Sequence, residues 1–115
     1  MTDTANVRVL DHPELGEIRL ESVLHALSDP MRLSVVRELA ASDVEQPCSA
    51  FALPVTKSTC THHFRVLRES GVVRQAYQGT AKMNELRRAD LEALFPGLLD
   101  RILAAAAAEE ARLSG

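Results

Sequence analysis

The sequence predicts one mainly α-helical domain that carries a small β-hairpin. Three observations predict it. Apolar residues recur at helical spacing in four stretches, the period switches to that of strands just after Gly71, and a chain of 115 residues holds one domain but not two. Residues 1–13 are expected to form a flexible arm, with 14–115 as the folded domain. A first helix is expected from about Glu14 to Leu27, where Leu20, Val23, Leu24 and Leu27 make one apolar stripe. Ser28-Asp29-Pro30 ends it and starts the next, Asp29 as N-cap and Pro30 in the first turn, where a missing N–H costs nothing. The second helix, Pro30 to about Ala41, carries Met31, Leu33, Val35, Val36, Leu39 and Ala40, a face wide enough to be buried on several sides. Residues 42–47 read as a polar loop, followed by a short helix from about Cys48 to Leu53 that Pro54 ends.

The next helix is delimited by Thr56, a natural N-cap, and Gly71, a natural C-terminal stop. Cys60, Phe64 and Leu67 turn to the core, which leaves Lys57, Ser58, Thr61, His62, Arg65 and Arg68 largely on a short, polar, basic face. Two strands follow, Val72 to Tyr77 and Thr80 to Leu86, turning at Gln78-Gly79 and decorated by Arg74, Gln75, Gln78 and Lys82. The chain ends in a helix over about 89–113 with a stripe of Phe95, Leu98, Leu99, Ile102, Leu103 and Ala106, broken near its start by Pro96.

The net charge of −3 conceals an uneven distribution. Residues 57–88 hold seven Lys and Arg against two acids, whereas residues 1–56 hold four against nine and residues 89–115 two against five. A basic segment in an acidic chain is the electrostatic footprint of a surface that meets phosphates, and the plain alternative is a solvated face. Aromatic residues make up only 3%, which argues against a stacking platform for single strands. The start lacks a basic stretch followed by an apolar one, and the longest apolar run is far below the roughly 20 residues that span a bilayer. With two cysteines and no disulfide framework, the expected compartment is the cytoplasm, without a membrane partner. Neither a nucleophile–base–acid set nor a glycine-rich phosphate loop is visible, so no catalytic residue and no cofactor is expected.

The order helix, helix, short helix, helix, hairpin, helix resembles the ArsR/SmtB family of winged helix-turn-helix regulators. The resemblance is carried by Ala26-Leu27-Ser28-Asp29-Pro30-Met31-Arg32-Leu33, by the run from Ser58 to Val73, and by the hairpin ending at Leu86; it spans roughly residues 17–105. It implies a homodimer joined through the first and last helices, which would place Leu20, Leu24, Leu98, Leu99, Ile102 and Ala106 at the seam. It also implies a recognition helix at about Lys57 to Glu69 that reads double-stranded DNA in the major groove. Lys57, Ser58, Thr61 and His62 then fall where bases or phosphates are met, Arg65 and Arg68 at the backbone, and Gln78 and Lys82 on the wing. His63 falls at a packing position. A structural reading stands beside several of these: Ser58 and Thr59 satisfying helix amides, His62 solvated, Arg68 paired with solvent or with a nearby acid, and the last stripe belonging to the monomer core.

On these grounds the expected function is a sequence-specific transcriptional repressor that binds an inverted repeat; the alternatives are a winged-helix module for protein contacts and a metal- or thiol-redox-responsive version of the same regulator. Metal-responsive relatives use a close Cys pair near the third helix or Asp and His on the last one. Here the first region has only Cys48 and the last helix has no His, so no metal site is expected. Cys48 and Cys60 remain a candidate redox pair: a Cys at the basic start of a helix can have a lowered pKa, whereas on the apolar stripe it is a small, inert hydrophobe.

Overall fold

The computed structural model describes residues 7–42, 44–51 and 53–115. Its elements in order are β1 (Val7–Val9), a 3-10 turn (Leu15–Glu17), α1 (Leu20–Leu27), α2 (Pro30–Ser42), β2 (Gln46–Pro47), a second 3-10 turn (Cys48–Ala50), α3 (Lys57–Glu69), β3 (Val73–Gln78), β4 (Ala81–Leu86), α4 (Arg88–Leu94) and α5 (Leu98–Ser114). The mainly helical chain with a small antiparallel hairpin is the winged helix-turn-helix architecture.

Local signals explain the junctions that matter. At the α1–α2 corner, Met31 and Arg32 donate their backbone N–H groups to Asp29 Oδ1 at 2.8 and 3.1 Å, so Asp29 caps α2 as its sequence position dictates. Burial pushes the Asp29 carboxyl up, but the two amides and the nearby His63 and Arg32 outweigh it and hold the pKa below the usual value. The buried Arg32 then locks the corner to α3. Its Nε donates to the Ala26 carbonyl at 2.8 Å, and its Nη1 lies 3.1 Å from His63 Nδ1.

Four expectations are revised. The helix expected from Glu14 is a 3-10 turn followed by extended Ile18 and only then α1. Ile18 is pulled out of helical register to plug the space beside Gly71, where a Cβ would come within 2.6 Å of its side chain. Gly71 itself has φ +88°, so this position requires glycine for both backbone and packing. The segment expected as a loose arm includes β1, which pairs antiparallel with β3, while residues 1–6 lie outside the described residues. The polar loop contains β2, which pairs with β4, and the short helix after it is a single 3-10 turn; the sheet order is β1-β3-β4-β2. The final helix is two, divided at Phe95-Pro96-Gly97, where Gly97 has φ +80°.

The core is built from α1 (Val23, Ala26, Leu27), α2 (Val35, Val36, Leu39) and the inner face of α3 (Phe64, Leu67), closed by Val72, Val73 and Leu91. Phe51 packs on Phe64 with ring centroids 5.6 Å apart. The distal half of α5 is tied to α2 by Arg37 Nη1 and Glu110 Oε2 at 2.7 Å.

Candidate nucleic-acid interface

α3, the helix expected to read DNA, is amphipathic in the sense its sequence required. His63, Phe64 and Leu67 are buried, whereas Lys57, Ser58, Thr59, Thr61, His62 and Arg65 are exposed along its outer face. Its start is fixed by the Thr56 hydroxyl, which accepts the Thr59 N–H at 3.3 Å and donates to Thr59 Oγ1 at 2.9 Å. Thr59 thus takes part in the cap through its own N–H and as the acceptor of the Thr56 hydroxyl. Thr61 donates its hydroxyl to the Lys57 carbonyl at 3.0 Å, which leaves the hydroxyl lone pairs free to accept. The positive end of the helix dipole adds to Lys57 at this end.

Arg68 departs from its expected role as a backbone contact. It is half-buried, and its Nη1 donates to Gln75 Oε1 at 2.7 Å. From there a buried polar chain crosses the sheet: Gln75 Nε2 donates to Asn84 Oδ1 at 2.7 Å, and Asn84 Nδ2 donates to the Gln46 carbonyl and to Cys48 Sγ, both at 3.2 Å. Gln75 and Asn84 are fully buried, so Gln75 is not a decoration of the wing surface. Strand alternation alone gave no sign of this, because a polar residue at an inward position has no local signature.

The basic segment divides in the same way. Arg87 donates to the Pro13 carbonyl and to Asp90, and Arg88 to the Ala40 carbonyl and to Asp100. Together with Arg68 these are three of the seven basic side chains of residues 57–88, committed to holding the fold. Of the other four, Lys57 and Arg65 are exposed and Arg74 and Lys82 are half-buried, Lys82 with its Nζ 5.8 Å from the Tyr77 ring centre. Gln78, at the hairpin turn, donates to Glu45.

The two cysteines are both free and half-buried. Burial, and secondarily the nearby Cys48, pushes the Cys60 thiol up, opposite in direction to the lowering that the basic helix start implied. Among the described residues no group of three or more His, Cys, Asp or Glu side chains converges to hold a metal. No helix among them is long and apolar enough to cross a membrane.

The expected dimer residues also divide. Leu20 and Leu24 are 43% and 44% exposed on α1. Leu98, Ile102 and Ala106 are half-buried on α5. Leu99 is corrected: at 5% exposure it belongs to the core of its own chain, in one cluster with Leu91 and Val23.

Comparison with known proteins agrees with this architecture. Residues 27–76, from the end of α1 to the middle of β3, match a family model described as a helix-turn-helix domain. The chain is 30% identical over 82 residues to YceK, an uncharacterised HTH-type transcriptional regulator of Bacillus subtilis (strain 168), across 70% of this chain and 82% of that protein. A crystal structure of an ArsR family transcriptional regulator has the same fold, with a TM-score of 0.56 and 23% identity over 82% of this chain and 88% of its own. The motif over α2 and α3 and the relative converge: the chain belongs to the HTH-type transcriptional regulators, a class of regulators, and its fold is the one seen in the ArsR family structure.

Proposed function

We propose that the chain is a dimeric repressor that reads an inverted repeat through the outer face of α3. The observation that carries it is the exposed row Lys57, Ser58, Thr61, His62 and Arg65, held on a helix whose opposite face is locked into the core. Short hydroxyl side chains let the helix approach base edges, His62 offers ring nitrogens, and Lys57 and Arg65 anchor phosphates or guanine. Lys82 supports the wing, with Gln78 at its turn. Arg68 is left out of the contacting set because its guanidinium is taken by Gln75.

The exposed Leu20 and Leu24, with Leu98, Ile102 and Ala106, support a two-fold dimer through α1 and α5. Such a dimer presents two copies of α3 to half-sites about one helical turn apart. Occupying a promoter in this way represses it, in the cytoplasm where such DNA lies.

Fluorescence anisotropy on the chain's own upstream duplex and on a scrambled duplex, across a salt series, tests this. Tight binding to the first and much weaker binding to the second is expected. Equal, weak binding that vanishes at physiological salt would favour a protein-contact role for the wing and helix. One observation favours a thiol-responsive version: Cys48 lies at the end of the polar chain that reaches Arg68 on α3. Running the same titration with and without reductant reads it, since a thiol-responsive repressor loses affinity when oxidised.

A further inference from the structure

β1 brings a residue to the wing that the two-stranded hairpin lacks. In the sheet register Arg8 of β1 stands opposite Tyr77 of β3, and Tyr77 stands opposite Lys82 of β4. Directly opposed residues of antiparallel strands project to the same face, so the three side chains form one row across three strands. The row is closed by contact: the Arg8 guanidinium carbon lies 4.8 Å from the Tyr77 ring centre, and Lys82 Nζ lies 5.8 Å from it. Tyr77 is two residues along β3 from Gln75, hence on the same face, and Gln75 is the residue that receives Arg68 from the recognition helix. The row therefore lies on the α3 side of the sheet, one pleat nearer the hairpin tip.

We propose that Arg8, Tyr77 and Lys82 form a phosphate clasp in which β1 serves as a third strand of the wing and Arg8 as a DNA-backbone contact. This rests on the DNA-binding reading of α3 and extends the same surface. Two cations on either side of one ring repel each other, and the ring only partly offsets that repulsion. A polyanion laid along the row relieves it, and a guanidinium held over an aromatic ring by cation–π attraction keeps its N–H donors available for phosphate oxygens. Arg8 is not left to wander. Leu10 N–H donates to the Gln75 carbonyl at 3.2 Å, Gln75 N–H donates to His12 Nε2 at 2.8 Å, and Arg87 Nη1 donates to the Pro13 carbonyl at 3.0 Å. These bonds pin the segment behind β1 to the sheet, so Arg8 reaches DNA from a fixed strand and costs little ordering entropy on binding.

The test is anisotropy of the full chain on a random-sequence DNA duplex across a potassium chloride series, for wild type, Arg8→Gln, Arg8→Lys and Lys82→Gln. Circular dichroism melts of each variant establish that it is folded. Arg8→Gln is expected to lower affinity and to reduce the magnitude of the salt slope by about one per bound chain, as Lys82→Gln does. Arg8→Lys keeps the charge and should keep the slope. If Lys82→Gln loses slope and Arg8→Gln matches wild type, the clasp is wrong and the DNA reading stands. A wild-type chain with no salt-dependent affinity for the duplex overturns both.

Discussion

The recognition helix and the wing solve the problem of presenting charge in opposite ways. On α3 the division is radial: one face is buried around Phe64 and Leu67, and the other exposes Lys57, Ser58, Thr61, His62 and Arg65. On the wing the division runs lengthwise. Near the core the sheet spends its polar residues on the buried chain from Arg68 through Gln75 and Asn84 to Cys48, and toward the tip the same face carries the half-buried Tyr77 and Lys82 and the exposed Arg8. A basic residue on a DNA-binding protein is therefore not a DNA contact by virtue of its charge. Arg65 and Arg68 lie three residues apart on one helix, and the first faces solvent while the second is committed to the sheet.

The largest effect separates the two faces of α3. Phe64→Ala should cost about 3–5 kcal/mol of stability in a denaturant titration, because it empties the site against Phe51. A comparable loss from Thr61→Ala would contradict the radial division. Next, Arg68→Ala should cost about 1–3 kcal/mol by orphaning the buried side-chain Oε1 of Gln75, reduced somewhat because the buried and unpartnered Arg68 Nε is removed as well. It should leave the salt slope of DNA binding unchanged. Arg65→Ala should do the reverse, weakening binding to all duplexes and lowering the slope by about one with little change in melting. Asp29→Ala should cost about 1 kcal/mol through loss of the α2 cap, read by thermal melting.

The smallest effect is a pH dependence from His12. Burial lowers its pKa, the hydrogen bond with the Leu10 backbone opposes this, and the neighbouring Arg87, Arg68 and Arg74 lower it further. The neutral ring is also the form whose Nε2 can accept from Gln75 N–H. The unfolded chain therefore takes up the proton first as pH falls. The contribution is fully present above about pH 6.5 and is lost as the pH drops below that value toward the folded pKa. Melting temperatures across this range should fall for wild type and fall less steeply for His12→Gln; parallel slopes would remove His12 from the anchor of β1.

Much of the domain was legible in the sequence where signals were local. The bounds of α3 follow from Thr56 and Gly71, the hairpin from the change of period, and the α1–α2 corner from Asp29-Pro30, all within reach of a single turn of chain. What could not be read was settled by distant partners. Val7-Arg8-Val9 is too short to show a strand period, and it becomes a strand only because the edge of β3 is free to pair with it. Ile18 leaves helical register to fill the space beside Gly71, and Gln75 and Asn84 are polar residues made tolerable inside by each other. The site was legible on the same terms. The exposed row of α3 follows from helical periodicity, while the inward turn of Arg68, the core role of Leu99 and the presence of Arg8 on the wing depend on packing across the chain.

The most direct test of the central claim is the specificity ratio of Thr61→Ala and His62→Ala, measured by anisotropy on the upstream and scrambled duplexes at one fixed salt concentration. The account predicts that affinity falls on the upstream duplex, by about 1–3 kcal/mol for a lost base contact, and stays near wild type on the scramble. Equal losses on both duplexes would contradict it and would make the outer face of α3 a backbone contact without a reading role.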